Sequence, residues 1–70
     1  MSNASDVTAG FASIKARKTT SRTAVEWAQY ISEIKALKVN ANGDMEVSEA
    51  TRKEIDKFLE FAEGAAPRQN

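Results

Sequence analysis

RTAVEWAQYISEIKAL, residues 22–37, is the stretch on which the fold turns. At about 100° per residue, Ala24, Trp27, Tyr30, Ile31, Ile34 and Leu37 fall on one broad face. Glu26, Gln29, Ser32 and Glu33 fall opposite, as an amphipathic surface helix requires. Val25 and Ala36 lie on the polar side, where a second contact could form.

Working toward the N-terminus, Thr19-Thr20-Ser21 is a break, because short hydroxyl side chains compete for backbone hydrogen bonds and favour helix caps over interiors. One of the three is expected to cap the helix that follows. Before them, Val7, Phe11 and Ile14 recur at steps of four and three and predict a helix over 7–18, with Gly10 as its weak point. Residues 1–6 are small and polar and read as a disordered end.

Toward the C-terminus, Lys38 to Val47 contains Asn42-Gly43, a strong tight-turn signal, between flanks that alternate apolar and polar. A three-residue loop, Ala41-Asn42-Gly43 with Gly43 left-handed, sets Val39 against Met45 and Leu37 against Val47. The expectation is therefore a short hairpin-like turn. Ser48 then serves as N-cap for a second helix over 49–63, with Glu49 and Lys53 as an i,i+4 pair and Ile55, Phe58, Leu59 and Ala62 as the apolar stripe. Gly64 reads as its stop, Pro67 cannot continue it, and 65–70 read as a second disordered end. The fold class is all-α: two clear amphipathic helices, a third N-terminal one, and one small domain over 7–64.

Composition narrows function by exclusion. In 70 residues there is neither cysteine nor histidine. That removes disulfides, thiolate zinc sites and the commonest general base and metal ligand. No Gly-rich phosphate loop exists, and the acids are spread along polar faces. The expectation is that the chain is not an enzyme and takes no cofactor and no metal. No apolar run approaches the length of a membrane span, so no membrane role and a cytoplasmic location are expected.

The twelve residues Lys38 to Glu49 nevertheless invite a metal reading. Asn40, Asn42, Gly43, Met45 and Glu49 stand at the third, fifth, sixth, eighth and twelfth places of a loop between two helices. In this the stretch resembles the calcium loop of an EF-hand, which implies a degenerate calcium-binding protein as one alternative. Lys38 departs from that pattern, placing a cation at the first ligand position, and a plain Asn-Gly turn before a Ser-capped helix accounts for the same residues.

Charge supplies another alternative. The net charge is zero, but residues 1–22 carry +3, residues 23–63 carry −4 and Arg68 restores balance. Lys15, Arg17, Lys18 and Arg22 form the one basic cluster that could contact the phosphates of a nucleic acid, and the hydroxyls among them could take a phosphate. No aromatic residue is interleaved with them, so this reading ranks second.

The first reading is a non-catalytic protein-interaction module, a homodimer or part of a larger complex. Its size suits a small regulator or inhibitor of phage or mobile-element type that covers a partner's surface. The helix–hairpin–helix order is shared, as order alone, with small phage head–tail proteins. Tyr30, Phe61, Phe11 and Val25 are the expected contact residues, since aromatic side chains at the edge of a small core make good interface anchors.

Overall fold

The structure, a computed structural model, describes the backbone of residues 3–67 and the side chains from Asp6 onward. Residues 1–2 and 68–70 of the expected disordered ends lie outside the described residues. Among those described are three helices, α1 (Asn3–Ala16), α2 (Ala24–Asn42) and α3 (Glu49–Ala65), and no strand. The fold is all-α. Helix α1 begins at Asn3, so residues 3–6 are helical and not a loose end.

Thr23, not a residue of 19–21, caps α2. Its hydroxyl accepts from the Glu26 backbone N–H at 3.2 Å, and the Glu26 carboxylate accepts from the Thr23 N–H at 3.3 Å. This reciprocal capping box needs a glutamate three residues after the cap, and only Thr23 has one.

Helix α2 runs to Asn42, and this overturns the hairpin. Five more helical residues carry the buried line Tyr30, Ile34, Leu37 on to Ala41, which is 1% exposed. A strand from Leu37 would forfeit that burial for a ladder too short to hold itself. Val39 and Met45, the expected pair, are 70% and 97% exposed, whereas Leu37 and Val47 do share the core. Gly43 is right-handed at φ −86°, so the turn does not draw on glycine's freedom at positive φ.

Arg52 holds the turn from the other side. Its Nε donates to the Ala41 carbonyl at 3.2 Å and its Nη2 to the Asp44 carbonyl at 2.6 Å. Both carbonyls also accept from backbone N–H groups of the turn, Ala41 from Asp44 at 3.3 Å and Asp44 from Val47 at 3.2 Å, so Arg52 adds a second bond to each and ties the turn to α3. The Asp44 carboxylate also accepts from the Glu46 N–H at 2.9 Å, a local turn contact.

The EF-hand expectation fails on the same geometry. The first five of its twelve positions belong to α2, so Lys38, Asn40 and Asn42 are strung along a helix and cannot converge round an ion. Lys38 instead pairs with Asp56 of α3 at 3.0 Å.

Helix α3 begins as expected, with the Ser48 hydroxyl accepting from the Thr51 N–H at 3.2 Å. It does not stop at Gly64, which is helical. A Cβ on Gly64 would meet nothing within 4 Å. Gly64→Ala is therefore expected to raise stability by about 0.5–1 kcal/mol, the helix-propensity difference, or several degrees in Tm. A thermal melt showing no gain would contradict a helical Gly64.

Helix α2 is the centre, with α1 and α3 both packed on it. Val7, Phe11 and Ile14 of α1, Tyr30, Ile34, Leu37 and Ala41 of α2, and Ile55, Leu59 and Ala62 of α3 form one core with Val47. Trp27, Ile31 and Phe58 seal its edge. The α1 helix, marginal alone at 14 residues, is ordered by this burial.

Candidate protein-interaction surface

The basic segment is not a free arm. Arg22 folds back so that its guanidinium lies 3.6 Å from the Tyr30 ring centre and 4.6 Å from that of Trp27. From there it donates to the Thr20 carbonyl at 3.0 Å, to the Lys18 carbonyl at 3.5 Å and to the Arg17 carbonyl. Three carbonyls of the turn that follows α1 are thus gathered onto one planar cation, that of Arg17 in addition to its bond from the Thr20 N–H. Arg17 donates to the Ser13 carbonyl at 3.3 Å and pairs with Glu33 at 3.1 Å. Lys15 lies over Phe11 and Lys18 over Phe61, at 4.5 and 4.7 Å.

All four cations therefore face aromatic rings, although no aromatic residue neighbours them in sequence. The tertiary fold supplies the interleaving that the sequence lacks, and it turns Arg17 and Arg22 to internal work. A cleft of about 220 Å³ between Arg17, Thr20, Arg22, Glu26, Tyr30 and Glu33 remains at this corner. Glu26 is committed to the capping box and Glu33 to Arg17, so neither stands ready as a base.

Two of the expected contact residues are corrected here. Tyr30 is 2% exposed and Phe11 is 4% exposed. Both belong to an aromatic chain of edge-to-face pairs, Phe11–Phe58 at 5.9 Å, Phe58–Tyr30 at 6.3 Å and Tyr30–Trp27 at 5.9 Å. Tyr30 looked peripheral on α2 alone, but α1 lies over that edge and accepts its hydroxyl proton at the Ile14 carbonyl. Phe61 and Val25 do reach the surface, at 38% and 64% exposed.

Burial raises the Tyr30 hydroxyl above its ordinary value, opposed by the nearby Arg22 and Arg17 and aided by Glu33. A raised folded-state pKa favours the protonated form. Its stabilisation is complete below the ordinary tyrosine range and is lost as pH climbs through the folded value. Tyr30→Phe is expected to cost about 1 kcal/mol at neutral pH, the net worth of one hydrogen bond. It should also flatten the alkaline fall in stability, which paired urea melts at neutral and alkaline pH would read.

The surface that the sequence did not single out as a unit is the outer face of α2. Ser32 points directly away from the core line of Ile34 and Ala41. Within about 40° of Ser32 on the helix lie Val25, Ala28, Ala36 and Val39. All five are exposed, Val25 and Val39 at 64% and 70%. Helix α2 thus carries apolar residues on two opposite sides, with Gln29, Asn40, Glu33 and Glu26 between them on one flank, and is far less amphipathic than α3. A line of small and apolar residues on the side away from the core is a candidate contact surface. Gln29 and Lys35 flank the line. On either side it is bordered by shallow grooves, one holding Ala28 beside Trp27 and Pro67, the other holding Ala36 beside Gly10 and Ser13.

No family model, no curated protein and no solved structure matches the chain. The surface has to be read from its own chemistry. Among the described residues no helix is long and apolar enough to cross a membrane.

Proposed function

We propose that the protein is a non-catalytic interaction module that works by presenting the outer face of α2 to another protein surface. The observation that carries this reading is the exposed line Val25, Ala28, Ser32, Ala36 and Val39 on the one helix that both others pack against. Surface valines occurring singly need no explanation, whereas five small or apolar residues in register on one face leave the central helix half covered. A small regulator or inhibitor of phage or mobile-element type, acting in the cytoplasm, would need no more than such a face on a rigid scaffold.

Nucleic-acid binding ranks below this, because Arg17 and Arg22 already hold carbonyls, a carboxylate and rings. A calcium role has no loop to rest on.

The test is a comparison of proteins co-purified from the cells that make this chain, using the wild type and a Val25→Asp/Val39→Asp variant. Both substitutions are at exposed sites and should shift stability by no more than about 0.5 kcal/mol. Partners retained by the wild type and lost by the variant support the reading. Identical sets from two equally folded proteins would overturn it.

A further inference from the structure

The outer line of α2 has a symmetry of its own. Counted from Ser32, valines stand seven residues away on both sides, at 25 and 39, and alanines stand four away on both sides, at 28 and 36. The line reads nearly the same in both directions. From this we infer that the occupant of the face is a second copy of the chain, its α2 antiparallel to the first about a two-fold axis beside Ser32.

In an antiparallel pair with that axis, the residue seven places before Ser32 comes level with the partner's residue seven places after it. Val25 therefore meets the partner's Val39, and Ala28 interleaves with the partner's Ala36. An isologous two-fold contact requires such self-complementarity, since each patch must fit itself. A foreign partner would impose no such relation on these positions. Ser32 and the four alanines of the pair keep the middle shallow, so the helix axes can approach to the short end of the usual 8–10 Å. The valines close the two ends.

The charges near the seam are compatible with this arrangement. Lys35 is the one ionic residue close to the line. It lies three residues from Ser32, so the two copies sit about 9 Å apart along the axis, roughly one Debye length at physiological salt. Gln29 is the flanking residue on the other edge. Glu26 and Glu33 lie farther round, held by Thr23 and Arg17. The inference rests on the reading of α2's outer face as an interaction surface, and it names the partner.

The chain has no cysteine, so single cysteines report the geometry cleanly. Ser32→Cys, Val25→Cys and Val39→Cys would each be made at exposed positions and first shown by reduced-state melts to fold like the wild type. A disulfide needs Cα atoms closer than about 7 Å. Under mild oxidation at tens of micromolar, Ser32→Cys is expected to become mostly linked dimer. An equimolar mixture of Val25→Cys and Val39→Cys should give the mixed dimer in several-fold excess over either self-linked dimer. Sedimentation of the wild type should show mass rising toward that of two chains over the same range.

The inference is overturned if Ser32→Cys stays monomeric. It is equally overturned if the valine variants link to themselves and not to each other, since that is the mark of a parallel pair. Neither result touches the co-purification comparison. A chain that fails these tests but loses partners on Val25→Asp/Val39→Asp uses the same face for a different protein.

Discussion

Ile34→Ala is expected to remove about 2–5 kcal/mol of stability, the usual cost of truncating a buried aliphatic side chain to alanine. Ile34 is 0% exposed and one of the two largest side chains that are fully buried. It stands midway along the buried line of α2, in the cluster to which all three helices contribute. The lost methylenes forfeit their transfer free energy, and the space they leave cannot collapse without moving helices. For 70 residues, a typical total of about 0.05–0.15 kcal/mol per residue leaves roughly 4–10 kcal/mol to lose from. The variant should therefore be partly or wholly unfolded at 37 °C. Glu60→Ala, at an exposed position on α3, should change stability by less than about 0.5 kcal/mol. Urea titrations followed by circular dichroism would compare the two, and a loss below 1 kcal/mol at Ile34 would contradict the packing described.

Arg22→Ala is the second large effect, on the order of 2 kcal/mol. Cation–π contacts contribute about 0.5–2 kcal/mol each depending on how dry they are, and Arg22 faces two rings while holding three carbonyls. The informative companion is Arg22→Lys. It keeps the charge but not the planar fork that spans several acceptors and stacks on tyrosine. If Arg22 fastens the end of α1 to α2, lysine should lose nearly as much stability as alanine, and both should expose Tyr30 to solvent. If Arg22 were instead a free cation for phosphates, both variants would melt like the wild type. Salt-dependent binding would then be retained with lysine and weakened with alanine. Thermal melts with near-ultraviolet circular dichroism decide between the two.

Much of the fold was legible from periodicity. The stripes at Val7, Phe11, Ile14 and at Ile55, Leu59, Ala62 do lie in the core, although Phe11 was expected at a partner contact, because a helix buried on one side must space its apolar residues by three and four. Ser48 was legible as a cap for a similarly local reason. The error at Asn42-Gly43 arose where two local signals competed. Alternation over Val39 to Val47 suggested strands, while continuing the α2 stripe to Ala41 required helix. Burial of Ala41 and the Arg52 bonds to the turn favour the helix, and neither is visible in a short window. Tyr30 was misread as a surface anchor because a single helical wheel shows an edge but not what lies over it, and Phe11 because the stripe of α1 does not show that α2 and α3 cover it.

The candidate surface divides in the same way. Val25 and Ala36 stood out in sequence as apolar residues on a polar face. That they join Ala28, Ser32 and Val39 in an uncovered line became clear only once α1 and α3 were both placed on the far side of α2. The basic cluster moved in the opposite direction, from an apparent arm to a set of side chains laid over Phe11, Tyr30, Trp27 and Phe61.

By itself the sequence determined three helices, the cap at Ser48, and the lack of thiol or imidazole chemistry, because each depends on residue type and on spacing within a few turns. The tertiary structure alone decided which aromatic rings are buried, what Arg17 and Arg22 are for and which side of α2 stays open. Those depend on how the helices and the turn between α1 and α2 come together in space, as when Phe11 meets Phe58.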